Sequence, residues 1–176
     1  MKKIILTLIA ISSFTALESC NSKKVVVNRE VETAKYGKML LGVQTRDQLY
    51  KEPYKTWYDE NYNDYPTDTL TIKALKKAGI RSYKISVFLG TWCGDSQTQV
   101  PQLMKILDDV KFPAKKLTLI GVNRKMESPS GRASLHIIRK VPTIILTKYG
   151  KEVGRITETP ETGYIEKDLL QIIQKK

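Results

Sequence analysis

The residues of this sequence that are best suited to carry out a reaction are those of the stretch WCGDS at 92–96. An apolar run comes directly before the stretch and a helical pattern follows it, so the thiol of Cys93 is predicted at a strand-to-helix corner. The partial positive charge of a helix N-terminus stabilises a thiolate there, whereas the carboxylate of Asp95 opposes it. The hydroxyl of Ser96, one turn on, can donate to the sulfur. These residues predict a modestly activated thiol able to attack disulfides.

The N-terminus predicts export and a lipid anchor. A short basic start is followed by an apolar run at 4–17, which is too short for a normal membrane span. The run ends in Ser19-Cys20, which resembles the lipobox of bacterial lipoproteins, although Glu18 departs from the usual residue type. The resemblance implies that 1–19 is a signal peptide and that Cys20 is lipidated. The protein would then lie in a bacterial cell envelope, anchored to the membrane and facing the periplasm or the exterior. The alternative is an ordinary secretory signal.

The cysteine count limits the redox chemistry. The chain has two cysteines, Cys20 and Cys93. If Cys20 carries lipid, Cys93 has no disulfide partner in its own chain. A second cysteine three residues after Cys93 would make a dithiol pair, and that position is Ser96. Any mixed disulfide formed at Cys93 must therefore be resolved by an external thiol.

Composition excludes several function classes. The 176 residues carry a formal net charge of +12, but the basic residues are scattered and form no nucleic-acid-reading motif. No Cys/His cluster suits zinc, and the single histidine, His136, is interpreted as structural. We therefore expect no nucleic-acid partner, no metal and no cofactor. The partners we expect are disulfides or thiols of proteins or small molecules, together with an external reductant, and we expect a monomer.

The chain divides into segments with different patterns. Residues 20–35 are mostly polar and predict a tether, and 36–79 predict a helical, tyrosine-rich extension. Four tyrosines of that extension recur every four residues on one predicted helical face, at positions 50, 54, 58 and 62. This face is either an aromatic ligand surface or a packing face, and we favour packing.

Strands and helices alternate from residue 80 onward and predict an α/β domain over 80–176. The predicted order is β-α-β-α-β-β-α, which implies a central mixed sheet with helices on both faces. The predicted strands are 82–89, 117–122, 143–146 and 152–157. The predicted helices are 96–110, 130–139 and 163–173.

This order, with Trp92-Cys93-Gly94 at the first corner, resembles the thioredoxin family over about 82–176. Pro101 matches the helix-kinking proline of that family, and Val141-Pro142-Thr143 resembles its cis-proline loop, which sits opposite the cysteine. The resemblance implies a thioredoxin-like three-layer fold with an N-terminal helical extension, like the thioredoxin-like lipoproteins of Gram-negative envelopes. It also implies that Val141 and Pro142 present backbone to a substrate and that Trp92 covers one side.

The departures from the family pattern define two alternative functions. Ser96 replaces the resolving cysteine, Asp95 replaces the proline, and Val87 replaces the buried carboxylate. The lysine that partners this carboxylate in the family corresponds to a position near Gly121, so it is also absent. The first function is a monothiol thiol-disulfide oxidoreductase that forms a mixed disulfide at Cys93. The alternative is a non-catalytic binding module that holds a partner protein or peptide in the cis-proline groove. A peroxidase is disfavoured because the supporting Thr and Arg before the cysteine are missing.

Overall fold

The computed structural model describes residues 26–175, so the predicted signal peptide, the lipidation site Cys20 and the first part of the predicted tether lie outside the described residues. Within that range the strands are β1 (Arg29–Thr33), β2 (Gly37–Gln44), β3 (Lys84–Leu89), β4 (Leu117–Gly121), β5 (Thr143–Lys148) and β6 (Lys151–Thr157). The helices are α1 (Lys55–Asp64), α2 (Thr69–Lys77), α3 (Gly94–Asp109), α4 (Arg132–Leu135) and α5 (Ile165–Gln174). No helix in 26–175 is long and apolar enough to span a membrane.

The strands form one six-stranded mixed sheet in the order β1-β2-β4-β3-β5-β6. β3 and β4 are parallel, and the other neighbouring pairs are antiparallel. Because successive side chains of a strand point to opposite faces, β3 places Val87 and Leu89 on one face and Phe88 on the other. The predicted α/β architecture with a mixed sheet is confirmed.

The two faces of the sheet carry apolar clusters of unequal size. The larger cluster joins α1, α2, α3 and α5 to the sheet and includes Leu75, Leu103 and Leu169. The smaller cluster lies under the segment 122–141, which contains α4, and includes Phe88 and Ile145. Trp92 and Cys93 pack against the smaller cluster. The candidate site therefore lies on the face of the sheet that has the smaller apolar cluster.

Residues 29–44 form a β-hairpin that joins the sheet. The prediction of a tether and the start of a helical extension is therefore wrong for this segment. β1 pairs with β2, and β2 pairs with β4 so that Gly42 lies opposite Gly121. A Cβ atom at Gly121 would lie 2.2 Å from the carbonyl oxygen of Leu40, so only glycine permits this approach of the strands. The long-range pairing overrides the local helical pattern that the sequence suggested.

Helices are confined to the second part of the predicted extension. Asp68 caps α2, since its carboxylate accepts the Leu70 N–H at 3.0 Å. Tyr54 and Tyr58 are only 2% and 3% exposed and belong to the larger core cluster. The packing interpretation of the tyrosine face is therefore confirmed for these two side chains.

A charged network fastens the helical segment to the end of α3. The Arg46 guanidinium donates to both carboxylate oxygens of Asp108 at 2.7 Å and to the Tyr58 hydroxyl at 2.9 Å. Tyr62 donates to the same carboxylate at 2.8 Å. Burial opposes both charges, but these hydrogen bonds outweigh it: they raise the pKa of Arg46 and hold the pKa of Asp108 below its usual range. Asp108, which the sequence suggests is a surface charge, is an anchor of the fold.

Asp108→Asn should lower the free energy of unfolding by about 1–2 kcal/mol near neutral pH, a value kept small because the Asp108 side chain is 45% exposed. Since folding lowers the pKa of this carboxyl, its stabilisation is complete above the ordinary aspartate value of about 4. It is lost as the pH falls through the lower folded value. Urea unfolding at pH 7 and pH 3 should show the difference between wild type and variant closing in acid. Asp64→Asn, at an exposed position of α1, is the control and should show no such closing gap.

Candidate functional site

Cys93 occupies the strand-to-helix corner that the sequence predicts. It lies at the N-cap of α3, is partly buried, and is the only cysteine among residues 26–175. Its N–H donates to the Gly90 carbonyl at 2.9 Å, and its carbonyl accepts the Gln97 N–H at 3.0 Å. The helix begins at Gly94, two residues before the predicted start. The thiol is therefore only partly buried and sits at the positive end of a 16-residue helix.

The loop at Val141-Pro142 lies directly against this thiol. The Val141–Pro142 peptide bond is cis, and the Cys93 thiol donates to the Val141 carbonyl oxygen at 3.3 Å. Thr143 holds the loop by donating its hydroxyl to the Lys140 carbonyl at 2.7 Å. The structure thus brings Cys93 next to the Val141-Pro142 loop, which begins 48 residues further along the chain.

Ser96 and Asp95 form no hydrogen bond with the sulfur in the described part of the chain. The Ser96 side chain is completely buried, and its hydroxyl accepts the Gly90 N–H at 3.2 Å. No hydrogen bond from this hydroxyl to the sulfur is present among the described residues. The bond from Gly90 uses only a lone pair of the hydroxyl oxygen. Asp95 is exposed on the first turn of α3. Ser96 therefore positions the loop that carries the thiol, and Asp95 faces solvent.

Trp92, the residue before the thiol, is held by a hydrogen bond and is covered by the cationic side chain of Arg124. Its indole N–H donates to the Val122 carbonyl at 2.9 Å. A Cβ atom at Gly90 would lie 2.7 Å from the indole ring, so this glycine makes room for the ring. The Arg124 guanidinium carbon lies 4.8 Å from the centre of the Trp92 ring and 4.5 Å from that of Tyr36. Sequence reasoning missed Tyr36 and Arg124, since no local pattern links two residues 88 positions apart.

The β1–β2 hairpin forms one wall of a groove at this side of the site. The groove has a volume of about 410 Å³. Apolar side chains of the hairpin line it, including Val31, Met39 and Leu41, and the loop 123–127 closes it. Leu40 ties the hairpin to the site because its N–H donates to the Thr91 hydroxyl at 3.3 Å. The hairpin therefore extends the site beyond the thiol and the cis-proline loop.

The single histidine packs against the smaller core cluster. The His136 ring packs against Phe88 at 5.4 Å between centres, and its carbonyl accepts a hydrogen bond from Arg155. This packing agrees with a structural role. Within residues 26–175 no group of three or more His, Cys, Asp or Glu side chains is placed to hold a metal ion.

Comparisons with known proteins show the fold and no family. No protein-family model matches the chain, and no curated protein matches it. The structure is similar to that of a protein of unknown function from Pseudomonas aeruginosa, which is 16% identical with a TM-score of 0.51. That match covers 68% of this chain and 83% of the other. An HIV epitope-scaffold protein is 17% identical with a TM-score of 0.49, over 69% of this chain and 82% of the other.

Proposed function

We propose that this protein is a thioredoxin-like monothiol oxidoreductase that forms a mixed disulfide at Cys93. The observation that carries the proposal is the contact between the Cys93 thiol, at the N-terminus of α3, and the carbonyl of Val141 beside the cis Pro142 at 3.3 Å. A helix N-terminus favours the thiolate, which is the reactive form of cysteine. The adjoining cis-proline loop offers backbone groups to a substrate that approaches the sulfur.

The reaction proceeds by two thiol-disulfide exchanges. The Cys93 thiolate attacks one sulfur of a disulfide, forms a new bond to it, and expels the other sulfur as a thiolate that takes up a proton. An external thiolate then attacks the substrate sulfur of the mixed disulfide and expels Cys93 as a thiolate. Ser96 takes no part in this step because its hydroxyl is not a redox group. Over this cycle one external thiol replaces the released thiol in the disulfide, so the number of disulfide bonds is unchanged. Reduction of the remaining disulfide to two thiols consumes a second external thiol, which leaves the two external thiols joined as a disulfide.

The surroundings of the thiol suit an extended substrate segment. The backbone of Val141 and Pro142 lies on one side of Cys93, and the fixed indole of Trp92 lies near the other. When the sulfur ionises, it releases the Val141 carbonyl, which becomes free to accept a hydrogen bond from the substrate backbone. Trp92, Val141 and Pro142 are therefore the proposed substrate contacts.

The N-terminal sequence supports a proposed location in the bacterial envelope. Cys20 would carry the lipid, and the site would face the periplasm or the exterior. Incorporation of a radiolabelled fatty acid into the expressed protein tests this anchor. Labelling should disappear in Cys20→Ser and persist in Cys93→Ser.

The test of the activity is the reaction of the purified protein with a mixed disulfide between glutathione and a peptide cysteine. Wild type should release the peptide thiol when glutathione is supplied, and mass spectrometry should detect an adduct at Cys93. Cys93→Ser should reduce the rate to the uncatalysed level, while Cys20→Ser should retain the wild-type rate. An equal rate in wild type and Cys93→Ser would exclude the proposed activity.

The alternative function, a binding module, is favoured by one observation. The surface formed by Tyr36, Arg124 and Trp92 does not include the sulfur of Cys93. A partner that binds this surface would be captured equally by Cys93→Ala and by wild type. Loss of capture in Cys93→Ala would instead favour the covalent mechanism.

A further inference from the structure

Arg124 has unused hydrogen-bonding capacity at the edge of the candidate site. Its side chain is exposed, and its guanidinium lies over the rings of Tyr36 and Trp92. Such contacts attract the cation without consuming its N–H donors, of which a guanidinium has five. Within residues 26–175 the guanidinium makes neither an ion pair with a carboxylate nor a hydrogen bond. The donors of Arg124 are therefore free to bind an anion.

The loop that carries Arg124 is held in one shape. The Asn123 side-chain oxygen accepts the N–H groups of Lys125 at 2.9 Å and of Glu127 at 3.0 Å. The Asn123 amide also donates to the Glu127 carboxylate at 2.8 Å, so the one acidic side chain that lines the groove is already engaged. A cation whose position is fixed before binding loses little side-chain entropy when it binds.

Tyr36 and Trp92 fix the cation from two separate parts of the fold. Tyr36 lies in the turn between β1 and β2, where its N–H donates to the Thr33 carbonyl at 3.3 Å and to the Thr33 hydroxyl at 3.1 Å. Trp92 is the chain neighbour of Cys93 and is itself bonded to Val122. The guanidinium is thereby held beside the residue that precedes the thiol.

We propose that Arg124 binds a carboxylate of the disulfide that Cys93 attacks, and so selects disulfides with a negative charge near the sulfur. The planar fork of a guanidinium matches the two oxygens of a carboxylate. This proposal rests on the proposed function at Cys93. The carboxylate has two possible sources, a small cysteine-derived thiol such as glutathione or an acidic side chain next to a cysteine in a peptide.

The test compares one anionic and one neutral disulfide on the same protein. The rate constants for adduct formation at Cys93 are measured with glutathione disulfide and with bis(hydroxyethyl) disulfide. Arg124→Ala should slow the reaction with glutathione disulfide about tenfold, which corresponds to about 1.4 kcal/mol of lost binding. It should leave the rate with the neutral disulfide within about twofold, since the attacking sulfur is unchanged.

Lys125→Ala is the matched control, because it removes an equal charge from the same loop without touching either ring in the described part of the chain. It should change both rates by less than about twofold at physiological salt, where exposed charges are largely screened. If Arg124→Ala slows both disulfides equally, or slows neither, Arg124 does not recognise the substrate and the proposal is overturned. An equal loss for Lys125→Ala would also overturn it, because general electrostatic attraction would then suffice.

Two further experiments distinguish the two sources of the carboxylate and test the Arg124 site independently of the reaction at Cys93. Mixed disulfides of a peptide cysteine with a neighbouring Glu, and then Gln, test whether a peptide carboxylate gives the same Arg124 dependence. Binding of S-methylglutathione, followed by NMR on Cys93→Ser, requires no thiol chemistry. Loss of that binding in the double variant Cys93→Ser, Arg124→Ala supports the Arg124 site even if Cys93 proves unreactive. If neither S-methylglutathione nor an acidic S-methylcysteine peptide binds, the Arg124 site is excluded whatever Cys93 does.

Discussion

Ser96→Cys should convert a protein that retains its mixed disulfide into one that releases it unaided. The substitution puts a second thiol one helical turn after Cys93, and side chains three positions apart on a helix are neighbours. The new thiol attacks the mixed disulfide within the same molecule and leaves an internal disulfide. A tethered thiol acts at millimolar effective concentration, so at micromolar external thiol the lifetime of the mixed disulfide should fall about 100-fold.

This result is read by mass spectrometry of the mixed disulfide after alkylation at successive times. Thr98→Cys is the matched control, because Thr98 is exposed on the same helix but five residues from Cys93 and on another side of it. Its mixed disulfide should persist as in wild type. A mixed disulfide of Ser96→Cys that also persists would show that position 96 does not face the sulfur.

Gly121→Ala should cause the largest loss of stability among the glycine-to-alanine substitutions in this chain. The added Cβ would lie 2.2 Å from the carbonyl oxygen of Leu40 and 2.7 Å from its carbonyl carbon. Both are backbone atoms, so β2 must move away from β4 and lose hydrogen bonds of the ladder. We expect a cost of about 3 kcal/mol or more. For a domain of this size the melting temperature should fall by about 6–12 °C.

Gly94→Ala provides the comparison, since no atom lies within 4 Å of a Cβ atom built there. Its melting temperature should remain within about 2 °C of wild type, because the change places a good helix former in α3. Thermal unfolding followed by circular dichroism measures both variants. Equal melting temperatures for the two would show that β2 does not lie against Gly121 as described.

Local signals were sufficient for much of the α/β domain. The apolar run before Cys93 predicted β3, and the pattern after it predicted α3. A buried strand needs a short apolar run, and a helix that packs on one face needs apolar residues at every third or fourth position, so both can be recognised locally. Pro142 and Cys93 were expected to face each other only through the resemblance to a family. The 3.3 Å hydrogen bond from the Cys93 thiol to the Val141 carbonyl, next to Pro142, joins residues that no local pattern connects.

Long-range partners account for what the sequence did not predict. The β1–β2 hairpin depends on the missing side chain at Gly121, about 80 residues away, and the anchor between Arg46 and Asp108 spans 62 residues. The contact between Tyr36 and Arg124 depends on both the hairpin and the loop 123–127. Propensity and periodicity describe one segment at a time, so contacts between distant segments leave no trace in them.

The unequal cores on the two faces of the sheet also bear on how a large molecule reaches the sulfur. Proteins open in cooperative parts, and a part with fewer buried apolar contacts opens at a lower free energy than the whole. The segment 122–141 covers only the smaller cluster, and Trp92 and Cys93 pack against that same cluster. A transient detachment of this segment would therefore widen the approach to the thiol while α1, α2, α3 and α5 keep the remainder folded. Under the proposed function, a protein disulfide would then reach the sulfur through a local opening whose free energy is lower than that of unfolding the whole protein.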